Sequence, residues 1–227
     1  MDVSMEAQKM TNEEMQEMMR KGKVLQEIGH YAEALFYYRH AASLGNSDAM
    51  VEIGRMRLAG QGLKTDEGKA FKWFRKAANA GNVSGMKAVA VAYAFGNGIH
   101  QDSEMAVEWY RKAVDKGDAA AKCKLATSLY YGYGVAKDRK KAVEMYKEAA
   151  AADSAEAKYY LGLFYQSGAE DGEDVLIGKD LSKAIALYKE AAQLGSRKAL
   201  ETLQILAERN NTEAKAALEI INIDRER

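Results

Sequence analysis

The apolar positions of the chain sort onto helical faces in short, closed runs. In "DAMVEIGRMRLAG", Ala49, Ile53, Gly54 and Arg57 fall on one face at helical spacing, while Val51, Arg55, Leu58 and Ala59 fall on another. "QGLKT" then breaks the pattern, "DEGKAFKWFRKAANAG" resumes it, and Gly81 supplies a C-terminal stop. The stretch therefore reads as a first helix (A), a turn and a second helix (B). Asp66 stands where the N-cap of B belongs, its carboxylate able to accept from the unpaired N–H groups of the first turn.

This unit repeats. Gly60-Gln61-Gly62, Gly96-Asn97-Gly98 and Gly132-Tyr133-Gly134 recur every 36 residues, and Asp66, Asp102 and Asp138 keep the same step. Asp180 follows after 42, as Ala191 follows Ala149 after Ala77 and Ala113, which localises a six-residue insertion to "GAEDGEDVLIG", Gly168 to Gly178. A glycine-rich turn before a helix also raises the prospect of a phosphate cradle. No strand precedes these turns and no Gly-Lys-Ser/Thr follows them, so the expected role is structural: positive φ at the glycines, letting the chain leave A and turn sharply into B.

The recurring positions resemble the Sel-1-like repeat family, a branch of the tetratricopeptide superfamily. The resemblance is carried by Ala157, Leu161, Gly162, Tyr165 and Gly168 in one copy and by Gly132, Gly134, Val135, Asp138, Lys141, Ala142, Tyr146, Ala149 and Ala150 in the one before, with Trp73-Phe74 and Trp109-Tyr110 as aromatic pairs. Arg57 and Leu129 replace an expected tyrosine, Val89-Ala90 replaces Leu-Gly, and Asp153 stands where Gly81 and Gly117 stood. The expected organisation is one continuous domain: a flexible segment at 1–11, a tetratricopeptide-like repeat at 12–47, Sel1-like repeats at 48–83, 84–119, 120–155 and 156–197 with the insertion at 169–178, and capping helices at 198–227. Thr11 and Glu14 are expected as a capping box for the first helix, and Thr212 as an N-cap near the end.

What the resemblance implies is an all-α, right-handed α/α superhelical solenoid of stacked antiparallel helix pairs, sharing one core because no pair buries its apolar stripe alone. Ala70, Ala106, Ala142 and Ala184 would allow close approach, with Trp73, Trp109 and Tyr188 filling the larger gaps. By the same resemblance the second face of each A helix lines a concave groove. Those positions do not repeat: Val51, Arg55, Leu58 and Ala59; Lys87, Val91, Ala94 and Phe95; Cys123, Thr127, Tyr130 and Tyr131; Tyr159, Leu163, Gln166 and Ser167; with Met19, Lys23 and Gln26 in the first unit. Arg55, Lys87, Val91, Phe95, Thr127, Tyr130, Tyr131, Tyr159 and Leu163 are the candidate partner-binding residues, the aromatics as anchors and the cations as contacts for an acidic group. The competing expectation is that some of these rings only close gaps under the glycine turns.

Composition narrows the functions. Lys+Arg and Asp+Glu both number 33, so net charge favours neither nucleic acid nor an anionic membrane. Absent proline beside 19 glycines suits long helices punctuated by turns. No segment approaches a membrane span, and "MDVSMEAQKMTNEEM" lacks a basic start and apolar core, so a cytoplasmic chain is expected. The single cysteine, Cys123, excludes an intramolecular disulfide framework, and with no His in its layer it is expected as a small buried or groove-lining side chain, not a reactive thiol. His30, His40 and His100 lack ligand or catalytic companions, and Glu170, Asp171, Glu173 and Asp174 do not follow the order of an EF-hand loop, so neither metal nor cofactor is expected and the insertion reads as a solvated acidic loop, with Val175-Leu176-Ile177 able to fold back onto the solenoid. The favoured function is a non-enzymatic adaptor holding a protein or peptide segment, with a monomer favoured over copies stacked end to end. The alternative is a β-lactamase-like or penicillin- or peptidoglycan-binding protein of the cysteine-rich kind, whose disulfide-stapled repeats one cysteine cannot supply.

Overall fold

The computed structural model describes residues 3–226, with side chains from 12 to 222. Helices α1 (Val3–Glu27) and α2 (Tyr31–Ser43) are followed by α3 (Ser47–Ala59), α4 (Glu67–Asn79), α5 (Val83–Phe95) and α6 (Ser103–Asp115). Then come α7 (Ala119–Tyr131), α8 (Arg139–Ala151), α9 (Ala155–Ser167), a hairpin of β1 (Ala169–Asp171) and β2 (Asp174–Ile177), α10 (Leu181–Gln193), α11 (Arg197–Glu208) and α12 (Thr212–Glu226). The fold is all-α and built of packed helix pairs. Its contacts gather into two units, the first ending at Ala113 and the second beginning at Val114.

The glycine turns are built as their spacing requires. Gly60, Gly96 and Gly132 end their A helices in the left-handed region, and Gly62, Gly98 and Gly134 also have positive φ. The second glycine does more in the first unit. A Cβ on Gly98 would lie 2.3 Å from the carbonyl carbon of Glu67, and one on Gly62 would lie 2.9 Å from that of Tyr31. Each turn thus presses onto the start of the preceding B helix, a contact no side chain would allow.

Asp66, Asp102, Asp138 and Asp180 accept from the backbone N–H three residues on, at 2.8–3.0 Å. Such a cap is worth about 1 kcal/mol. The A helices carry their own caps, Asn46, Asn82, Asp118 and Ser154, with Ser196 and Asn211 serving α11 and α12. Asn211, not Thr212, is therefore the cap of α12. The expected Thr11–Glu14 box is also corrected. Because α1 begins at Val3, position 11 lies inside a helix with no free first-turn N–H to serve, and the Thr11 side chain lies outside the described residues.

In the cores, Ala70, Ala106, Ala142 and Ala184 are buried as expected. Trp109 and Tyr188 are buried as expected, whereas at Trp73 the buried ring is the next residue, Phe74. Phe74, Tyr110, Tyr146 and Tyr188 are the buried rings, whereas Trp73 is only partly buried, with Lys76 Nζ 4.7 Å from its ring centroid; Trp109 is buried beside them, with Lys112 Nζ at 4.0 Å. The ring of the second residue points at the A helix and needs a very small residue there. A Cβ on Gly22, Gly54 or Gly162 would meet the ring of Tyr38, Phe74 or Tyr188 within 2.7 Å. The buried hydroxyls are satisfied: Tyr38 donates to Gln26 Oε1 at 2.9 Å and Tyr188 to Gln166 Oε1 at 2.7 Å. Burial pushes the Tyr38 and Tyr160 phenols up to about 12.

The insertion is not an irregular loop. Asp171 pairs with Asp174 across Gly172-Glu173, Gly172 at φ +64°, and Ala169 and Ile177 are buried while the four carboxylates are exposed. Asp153, the non-glycine residue at a glycine stop, adopts φ +56° and places its carboxylate 3.0 Å from Lys158 Nζ.

Candidate partner-binding site

In the first unit, the second faces of α3 and α5 open onto a common cleft of about 360 Å³. Val51, Arg55 and Leu58 come from α3, Lys87 and Val91 from α5, and the buried rings of Phe71 and Phe74 lie beneath. The cleft exists because α5 lines it with Ser84, Ala88 and Ala92. At the matching positions α9 carries Glu156, Tyr160 and Phe164, so the same space is closed by rings where large residues stand. The lining is mainly apolar with charges among it, the composition that receives a large apolar side chain and orients it by polar contacts. Arg55 is paired with Glu52 at 2.5 Å, an exposed pair worth at most about 1 kcal/mol. Lys87 is already engaged by a neighbour, and Glu67 places a carboxylate in the same lining. Phe95, the last residue of α5, is 72% exposed.

In the second unit the candidates divide. Thr127 Oγ1 lies 2.8 Å from the buried Tyr146 hydroxyl and donates to the Cys123 carbonyl at 3.0 Å, so it serves the core. Tyr130 stacks on Phe164, centroids 4.9 Å apart, and Arg139 covers it at 5.3 Å while donating to the Glu170 carbonyl at 2.9 Å. This guanidinium ties the hairpin to α7. Tyr131 is 51% exposed and stacks on Tyr133, a ring in the glycine turn that the reading of the sequence left out. Tyr159 is half-buried against Tyr160 and Tyr188 and borders a shallow cleft of about 260 Å³ with Leu194, Ser196 and Lys198. Leu163 packs on the core of α10–α12.

Arg55, Lys87 and Val91 therefore share one cleft, and Tyr130 and Tyr131 adjoin on α7. Thr127 and Leu163 mainly support packing. The rings of the second unit form a chain of contacts from Tyr133 through Tyr131, Tyr130, Phe164, Tyr146, Tyr160 and Tyr159 to Tyr188. Its two ends differ in exposure, which the spacing of aromatics alone does not reveal.

Chemistry-bearing groups elsewhere are dispersed. Cys123, expected as either a small buried or a groove-lining side chain, is buried, and burial with Glu156 nearby pushes its thiol up to about 12, away from a nucleophilic thiolate. Among the described residues no group of three or more His, Cys, Asp or Glu is placed to hold a metal ion, and no helix is long and apolar enough to cross a membrane. The expectation that the chain carries no Ser-x-x-Lys motif, which counts against the enzyme alternative, is corrected: one is present and falls on the cleft. Ser84-Gly85-Met86-Lys87 has Ser-x-x-Lys spacing, in the first turns of α5, with both side chains in the lining.

The sequence model described as Sel1 repeat matches residues 29–46, 47–82, 83–118, 119–154 and 155–196. The chain belongs to the Sel1 repeat family. Four of the matched segments each cover one helix pair, and the first covers only α2 and its flanks. A Sel1 repeat protein from Oxalobacter formigenes is 29% identical, with a TM-score of 0.74 over 91% of this chain and 84% of that one. A protective antigen of uropathogenic Escherichia coli displaying an SLR fold is 30% identical, with a TM-score of 0.66 over 83% of this chain but 40% of its own. The immunity protein Pa5087 from Pseudomonas aeruginosa, 19% identical with a TM-score of 0.61 over 88% of this chain and 74% of its own, shares the fold. A comparison with curated proteins finds no match. Sel1 repeat folds commonly mediate protein–protein interaction.

Proposed function

We propose that this Sel1 repeat protein is a non-enzymatic scaffold that holds a segment of another protein on the second faces of its A helices. The observation that carries the reading is the α3–α5 cleft, an apolar recess built from non-repeating residues on a scaffold whose core positions repeat. Arg55, Lys87, Val91 and Phe95 are the contacts in the first unit. Tyr130, Tyr131 and Tyr159 are those of the second, with Tyr131 the most exposed of them, while Thr127 and Leu163 support the packing beneath. A buried apolar anchor ringed by weaker polar contacts is the usual energetic layout of such a site. In capture from native lysate, Val91→Arg combined with Phe95→Ser is expected to lower recovery of the partner at least about tenfold, against wild type and an outer-face control at Lys72. Equal recovery by folded variants, judged by circular dichroism, overturns the reading.

Ser84 and Lys87 support a second reading, serine acyl transfer of the β-lactamase or penicillin-binding kind, because both line one cleft beside a carboxylate, Glu67. The scaffold reading expects nitrocefin turnover at background in wild type and in Ser84→Ala alike. Turnover in wild type that disappears in Ser84→Ala favours the enzyme.

A further inference from the structure

The glycine turn after α7 carries two phenols where the two earlier ones carry none. Tyr131 and Tyr133 correspond to Ala59 and Gln61 in the first turn and to Phe95 and Asn97 in the second, so the turn needs no phenol at either place. All thirteen tyrosines lie among the described residues, and only these two are exposed, at 51% and 59%. They are also stacked on each other, with centroids 5.5 Å apart and ring planes inclined by 21°. The two phenols most open to an oxidant in solution are thus already in contact.

Backbone hydrogen bonds hold this arrangement. Gly132 ends α7 at φ +80°, and the N–H groups of Gly132 and Tyr133 both donate to the Ser128 carbonyl, at 2.8 and 2.9 Å. The chain therefore reverses at Gly132, as a left-handed stop closes a helix, and sets the ring of Tyr133 against that of Tyr131. Tyr130 is placed differently. It meets Tyr131 edge-on at 72°, and its own ring is stacked on Phe164 with the Arg139 guanidinium over it. The chain's one thiol, Cys123, which would compete for an oxidant, is buried.

The geometry points to Tyr131 and Tyr133 as an oxidative cross-linking site, where a one-electron oxidant of the ferryl-haem class joins the two phenols of one chain into a dityrosine. Each phenol gives one electron to the oxidant and its O–H proton to water, leaving two phenoxyl radicals. A carbon–carbon bond then forms between ring carbons ortho to the oxygens, and the hydrogen on each of those carbons moves to its oxygen, restoring both aromatic rings. The chain loses two hydrogen atoms in all. With a peroxidase, the two electrons and two protons reduce one hydrogen peroxide to two waters. Contact in the folded chain makes the second radical an intramolecular partner, so coupling within a chain outruns coupling between chains at low concentration. The product clamps the glycine turn onto the last residue of α7.

Treating the full chain at low micromolar concentration with a peroxidase and hydrogen peroxide tests this. Trypsin cuts after Lys124 and Lys137, so Tyr130, Tyr131 and Tyr133 fall in one peptide, Leu125–Lys137. That peptide is expected to lose two hydrogens and gain dityrosine fluorescence, with the protein keeping the mass of one chain and the yield per chain unchanged by dilution. Tyr131→Phe and Tyr133→Phe are each expected to lower the yield at least about tenfold, and Tyr130→Phe to leave it unchanged. Coupling that survives Tyr133→Phe, links formed mainly between chains, or no coupling under conditions that cross-link free tyrosine overturns the inference.

Discussion

Gly98→Ala is expected to cost about 3 kcal/mol of stability, and Gly81→Ala about 1 kcal/mol. Both glycines have positive φ, 71° and 85°, so both substitutions carry the left-handed penalty of about 1–2 kcal/mol for an L-residue. Only Gly98 meets something. Its Cβ would lie 2.3 Å from one backbone atom of Glu67 and 2.4 Å from another, while nothing lies within 4 Å of a Cβ on Gly81. Backbone cannot rotate aside as a side chain can, so the turn or the start of α4 must shift, at about 1–3 kcal/mol more. Urea unfolding followed by far-ultraviolet circular dichroism measures both. Equal losses would mean that the turn moves without penalty and does not brace the preceding helix.

The second large effect lies at Tyr146. Its side chain is fully buried, contacts Tyr160 and Phe164, and reaches Thr127 Oγ1 at 2.8 Å. Tyr146→Ala is expected to lose about 3–5 kcal/mol, since a cavity remains between helices whose backbones cannot fully close it. Tyr146→Phe keeps the ring and removes only the hydrogen bond, an expected loss of about 1 kcal/mol. The pair separates packing from polar satisfaction in one unfolding series. A loss below about 1 kcal/mol for the alanine variant would show that α8 repacks onto α7 and α9, against the close-packed reading of this core.

Much of this fold is legible because the same physical demand recurs. A sharp turn needs positive φ, and a B helix needs a cap, so Gly-x-Gly and Asp appear at fixed intervals and the structure uses them as their positions imply. The aromatic pair was harder to orient. Trp73 and Phe74 are both apolar, and the choice of the second as the buried ring is set by Gly54 on the facing helix, twenty residues away. The hairpin was hidden for another reason: "AEDGEDVLI" is rich in residues disfavoured in strands, and its pairing is stabilised by burial of Ala169 and Ile177 and by Arg139. Similarly, Asn211 and Thr212 are both competent caps by composition, and only the backbone decides between them.

The site was legible as a face but not as a shape. Spacing placed Arg55, Lys87 and Val91 on that face, whereas the recess depends on Ala88 and Ala92 being small where α9 carries Tyr160 and Phe164. Cys123 has groove spacing and is nonetheless buried, because that face is only partly uncovered at each helix.

Arg139 gives the six additional residues of the hairpin a particular standing. The two ends of the hairpin that holds them, Ala169 and Ile177, are drawn together by strand pairing, so the chain re-enters α10 with its Asp180 cap intact. Length variation at this point is absorbed in a self-closed ornament instead of being passed along the stack. What is passed along is narrower: whatever touches the hairpin can pull on one guanidinium, and that guanidinium sits over a ring of the proposed binding face.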